Sequence, residues 1–292
     1  MTNKIIIRAA LVSLFFLAVC RIAAAQENPK TPGINQKNET VKIEKYVNLF
    51  DFRVVGNSFT ENGYTLERRV NANAERENTS AEFAVMRKNG STVERFDFLN
   101  HPFDSIDFGL FSFLGKKDRQ IFVSQTAPRS GVHLIIGTRP QFRVLFKNSE
   151  WNVGREDFNA IDLDGDSVFE LSFESTAFYG FEPERLGNVG APLTEIVFKY
   201  DSSADKFLPA NPRFAEFSLR GVDEEIARIR RDNKDFQFAD VFAIALRFVY
   251  AGKETEAWDF FDRNYNFDDR EDLKTKIKAI IKTDAVYQYI YK

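Results

Sequence analysis

Between residues 82 and 208 the chain repeats one arrangement: a short apolar or aromatic run, a few turn-forming residues, then another run. Asn89-Gly90 stands between the runs 82–87 and 92–98, and both turn residues accept the positive φ of a two-residue hairpin. Runs 106–113 and 120–125 flank Gly115-Lys116-Lys117-Asp118, runs 132–137 and 142–147 flank Arg139-Pro140, and runs 195–200 and 206–208 flank Asp201-Ser202-Ser203-Ala204. Hairpin after hairpin predicts an antiparallel β domain over 41–214. The 31 phenylalanines suit its core, since aromatic rings pack well on pleated, half-buried surfaces. Alternation is visible at Phe96/Phe98 and at Phe169/Leu171/Phe173. A carbohydrate-stacking surface is the lesser reading, because Tyr and Trp suit it better and only Trp151 and Trp258 are present.

From Gly221 the period changes. Val222, Ile226 and Ile229 share one helical face, as do Val241, Phe242, Ala245, Phe248 and Val249, and then Leu273, Ile277, Ile280 and Ile281. No proline follows Pro212. Asp223 and Glu224 come early and Arg230 and Arg231 late, which complements the helix dipole. The expected fold class is therefore α+β, mainly β: an antiparallel β domain followed by a small helical domain over 215–292.

The first 25 residues have the parts of a secretory signal. Lys4 and Arg8 precede a mostly apolar stretch from 9 to 20, and Ala23-Ala24-Ala25 offers a cleavage site before Gln26. That stretch is shorter than the roughly 20 residues a bilayer requires, and the apolar run 241–251 is interrupted by Arg247, so no transmembrane span is expected. Residues 26–40 are polar and aperiodic and read as a flexible linker. The chain is thus expected to be exported, periplasmic or extracellular. Leu17-Ala18-Val19-Cys20 resembles a bacterial lipoprotein box with Val19 where a small residue is usual, so a lipid anchor at Cys20 is the less favoured alternative. Cys20 is the only cysteine, and cleavage after Ala25 leaves none for a disulfide, a thiolate zinc site or a nucleophile. Without Lys4, Arg8 and Arg21 the chain carries 37 basic against 43 acidic residues. That net −6 argues against nucleic acid as a partner.

The chemistry concentrates in Asp162-Leu163-Asp164-Gly165-Asp166-Ser167-Val168-Phe169-Glu170. Carboxylates recur at relative positions 1, 3, 5 and 9, and the Val168 carbonyl stands at position 7. A tight loop with this spacing turns hard oxygen ligands inward, as Ca²⁺ requires. An EF-hand would need an acid at position 12 and flanking helices. Here Phe173 holds position 12 and both flanks read as strands, so the nine-residue form ending at Glu170 is preferred. Run 162–171 resembles the calcium loop of FG-GAP/VCBS-type β-propeller repeats, with Asp162, Asp164, Asp166 and Glu170 at its ligand positions. The resemblance covers about 160–210, including the hairpin with Tyr200 and Phe207, and it implies a structural Ca²⁺ between two strands of a blade and a β domain that is propeller-like, with a sandwich-like one as the alternative. Ser167 departs from the family by replacing its second glycine, and only one such loop is present.

Catalytic patterns are sparse. His101 and His133 are the only histidines. Ser105, Ser130 and Asp107 lie near them in sequence, but no G-x-S-x-G elbow, Walker loop or dinucleotide fingerprint occurs. The sequons at Asn38, Asn78 and Asn89 carry no weight. Residues 241–265 resemble one tetratricopeptide hairpin, with Phe248, Gly252, Ala257 and Phe261 at its spacing and Ala245 at another small position. Residues 268–282 and 283–291 supply a divergent second pair. The resulting expectation is an exported, calcium-stabilised binding or structural module of the bacterial envelope with a protein or glycan partner. The alternative is an extracytoplasmic hydrolase working through carboxylates in a β-domain cleft.

Overall fold

The structure is a computed structural model that describes residues 45–54, 56–70, 82–97, 105–115, 118–127, 130–154, 159–186, 192–231 and 238–292. The expected signal, the linker, Cys20, His101, Phe98 and the sequons at Asn38 and Asn78 lie outside these residues.

The β region folds into three antiparallel sheets. The first is a meander of β2 (Ser58–Glu61), β3 (Tyr64–Val70), β4 (Glu82–Lys88) and β5 (Ser91–Asp97). The middle one joins β6 (Ser105–Phe111), β7 (Gln120–Ala127), β8 (Ser130–Gly137) and β9 (Arg143–Lys147). The third orders β1 (Lys45–Asn48) beside β10 (Asn159–Asp162), β11 (Glu170–Glu174), β12 (Glu195–Asp201) and β13 (Lys206–Pro209). The β1–β10 pairing, with Lys45 opposite Asp162, brings the start of the β region back onto its last sheet.

Strand alternation explains how the sheets stack. Ile121, Val123, Leu134 and Ile136 of the middle sheet join Leu66, Ala84 and Met86 of the first in one apolar cluster. Phe122 and Ile135 point the other way and join Leu171, Phe173, Ile196 and Phe198 of the third. Gly109 is required where it stands: a Cβ there would lie 2.3 Å from the Phe122 ring and 2.5 Å from the Phe52 carbonyl oxygen. Both ends of the stack are finished. The outer face of the first sheet carries ion pairs, Arg69–Glu67 at 2.5 Å and Arg95–Asp97 at 2.8 Å, and the Arg95 guanidinium lies over the Phe83 ring. The outer face of the third sheet buries Ile161 and Val197 beneath Phe217. The result is a row of three sheets rather than a closed barrel.

The helices are α1 (Pro183–Leu186), α2 (Ala215–Ser218), α3 (Val222–Arg231), α4 (Phe238–Tyr250), α5 (Glu254–Asn264), α6 (Arg270–Thr283) and α7 (Ala285–Ile290) among the described residues. A short α2 and the amphipathic α3 begin the helical region expected from the sequence, and its core is continuous with that of the sheets. Phe242, Ala257, Phe261 and Ile277 belong to the same buried cluster as Phe173 and Phe198. Phe178, just after β11, meets Phe242 edge-on at 4.9 Å, and Trp151 meets Tyr289 at 5.8 Å. Gly252 turns α4 into α5 with φ +80, and its amide and that of Lys253 donate to the last carbonyls of α4. No helix of the described residues is long and apolar enough to cross a membrane.

Candidate metal centre

The loop between β10 and β11 lies at one end of the third sheet. The β10–β11 register pairs Ile161 with Glu170, so Asp162 closes β10 and residues 163–169 make the connection. Gly165 and Ser167 take left-handed backbone, φ +72 and +69. The first costs nothing; the second places a side chain where glycine is favoured, so Ser167 stores strain that the loop's own bonds must offset. The Phe169 amide donates to the Phe113 carbonyl at 2.9 Å, tying the loop to the middle sheet.

Asp162, Asp164 and Asp166 converge. Each offers one carboxylate oxygen, and these lie within 4.8 Å of one another, so the three could hold a metal ion. Asp162 is buried. Its Oδ2 accepts from the Ser167 amide at 3.2 Å, whereas its Oδ1 is buried with no hydrogen-bond partner. An orphaned carboxylate oxygen beside two further acids is a fit for a cation, because leaving it bare costs the full desolvation of the group. Glu170 is also buried but fully engaged: Oε2 accepts from the Leu163 amide at 2.8 Å and Oε1 from Lys199 at 2.6 Å. The Val168 amide donates to Asp166 Oδ1 at 2.7 Å.

Two cations escape sequence reasoning. Lys199 Nζ stands 3.0 Å from Asp164, 3.0 Å from Asp166 and 2.6 Å from Glu170, and Arg213 reaches Asp164 at 2.8 Å. Against four carboxylates these two leave a balance of −2. Burial works against the Lys199 ammonium, but its bonds to Glu170, Asp166 and Asp164 outweigh it and hold its pKa above the ordinary lysine value. Burial would raise Asp166, yet Lys199 and the Val168 amide bring its pKa below the usual carboxylate value. At Glu170 burial prevails and pushes the carboxyl up.

A cleft of about 500 Å³ opens beside the loop, with Asp166, Ser167 and Val168 as one wall and Arg119, Arg139 and Arg143 around it. Each of these arginines is held by a carboxylate: Glu61 at 2.8 Å, Asp118 at 3.1 Å and Asp205 at 2.6 Å.

The remaining chemical candidates separate from this site. Asp107, Ser124 and His133 lie in register across β6, β7 and β8. Ser124 Oγ is 3.1 Å from His133 Nδ1, and both residues are buried. The order places serine between the acid and the imidazole, whereas a nucleophilic triad needs the imidazole between. Burial lowers the His133 pKa to about 4, so the ring is neutral at pH 7. Asn148 clamps the neighbourhood by accepting from the His133 amide and donating to the Gly131 and Val153 carbonyls. No protein-family model, curated protein or solved structure matches this chain.

Proposed function

We propose that this chain is an exported binding or structural module of a bacterial envelope, built of propeller-like sheets and stabilised by one calcium ion in the loop 162–170. The observation that carries the reading is the buried, partnerless Asp162 Oδ1 beside Asp164 and Asp166. Three carboxylates with no nitrogen or sulfur donor among them are hard ligands, which suits Ca²⁺ better than zinc or copper. Export places the loop where calcium modules work with Kd values of about 10⁻⁴–10⁻³ M. At about 1 mM calcium, equal to or tenfold above such a Kd, the ion adds about 0.4–1.4 kcal/mol to the folded state.

Residues 166–168 are both loop and cleft wall. An ion that fixes the loop therefore fixes the surface on which a protein or glycan partner would rest. The cleft acids Asp118 and Asp166 each accept from a cation, Arg139 and Lys199, which favours a binding surface over the hydrolase alternative. The α4–α5 hairpin, similar to a tetratricopeptide pair, acts as a packed cap. Calorimetric titration of calcium into protein beginning at Gln26 tests the reading. One equivalent should bind, and Asp162→Asn should abolish the heat. Absence of binding at millimolar calcium would overturn it.

A further inference from the structure

We infer that Lys199 is a tethered cation competing with the metal for the loop 162–170, so that its ammonium sets the affinity of the site and holds the loop together when no ion is bound. The inference rests on the calcium reading above and adds the residue that regulates it. Lys199 Nζ lies against three of the four side chains at ligand positions of the loop, Asp164, Asp166 and Glu170. A carboxylate oxygen engaged by an ammonium at 2.6 Å is unavailable to an ion that wants oxygens at 2.3–2.6 Å unless the ammonium withdraws. Glu170, the ninth-position ligand, has its other oxygen on the Leu163 amide, so Lys199 guards its only exchangeable one. Asp162 Oδ1 is the reverse case: it is buried, it has no donor, and Lys199 does not reach it.

An incoming ion therefore has a first foothold at Asp162 and completes its shell as Nζ moves off. The lysine stem is long and flexible, and Asp166 is 44% exposed, so the ammonium has a route to water. Were the ion to bind beside Lys199 instead, the two positive charges would repel within a few ångströms. Both geometries give the same sign: the lysine weakens divalent binding.

The test is calcium calorimetry on wild type, Lys199→Met and Lys199→Gln, the last retaining a neutral donor for the acids. Both variants should bind calcium at least tenfold more tightly than wild type. In the wild type, ¹⁵N NMR in chelator should show a slowly exchanging Lys199 Nζ signal, and this signal should broaden or vanish on calcium addition. Equal Kd values across the three proteins, or an Nζ signal indifferent to bound calcium, overturn the inference while leaving the calcium reading intact. Binding by the variants alone overturns calcium occupancy of the wild type and upholds the lysine as its substitute. No binding by any of the three defeats both. If neither variant folds, the wild-type Nζ signal decides.

Discussion

The middle and third sheets both bury polar side chains, and they do so in opposite ways. In the middle sheet Ser124, His133 and Asn148 are neutral and bonded to one another or to nearby backbone. In the third, the buried Asp162 and Glu170 are ionisable, a partly buried Lys199 faces Glu170, and one buried oxygen of Asp162 has no hydrogen-bond partner. A neutral network carries no charge that a metal ion must balance. A charged one depends on the balance of its counter-charges, so its stability answers to ions. The first arrangement builds a scaffold, and the second builds a place where the scaffold can be adjusted from outside.

Lys199→Met should break this contrast most severely. Removing one partner of a buried ion pair costs about 3–5 kcal/mol, because the remaining charge is left uncompensated. Chemical denaturation in chelator should register a loss of about 4 kcal/mol, with a substantial part regained in millimolar calcium. Wild-type stability in chelator would mean that the acids of the loop need no cation.

That Lys199 escaped the sequence reading shows where local pattern stops. The hairpins at Asn89-Gly90 and around Asp201–Lys206 were legible because turn chemistry and strand alternation are local signals, and β4–β5 and β12–β13 form there. The helical faces were legible for the same reason: Val241, Phe242, Ala245 and Val249 are all buried. The convergence of Asp162, Asp164 and Asp166 was legible from spacing alone. Lys199 sits 29 residues beyond Glu170 in an apolar strand, where it reads as an ordinary solvent-facing position. Only the β11–β12 register, with Leu171 opposite Phe198, sets the next residue of β12 across from Glu170. Similarly, nothing local announces that β1 closes onto β10, or that Ser124 meets His133.

The neutral network has its own sensitivity, to protons rather than metal. His133 has a folded pKa of about 4 against 6.5 when unfolded, so between these values the unfolded chain binds the extra proton. Stability from this residue is fully present above pH 6.5 and declines as pH falls towards 4, by about 3 kcal/mol in all. His133→Phe should flatten that slope, read as the difference between the denaturation free energies of variant and wild type from pH 7 to 4. Parallel curves would show that the imidazole is not the titrating group. A smaller effect is expected from Asn148→Ala, which leaves the His133 amide and two carbonyls without their side-chain partner. A loss of about 2 kcal/mol is expected. It should be identical in calcium and in chelator, and a calcium-dependent difference would mean that the two networks are not separate.

Asp162→Asn is the mildest change and the most discriminating. The amide oxygen can still accept from the Ser167 amide, so the loop keeps its backbone bond. What disappears is one negative charge among four, and with it the repulsion that the orphaned oxygen imposes on Asp164 and Asp166. In chelator the variant should therefore be as stable as wild type or more stable by about 1 kcal/mol, the low end of the cost of a buried polar atom without a partner. In calcium the order should invert, since wild type gains the binding term and the variant does not. Crossing of the two melting temperatures between chelator and calcium identifies Asp162 as a ligand-bearing acid. A variant that is less stable by the same amount in both solutions would instead make Asp162 a purely structural acceptor for Ser167, and the third sheet would then differ from the middle one in charge but not in kind.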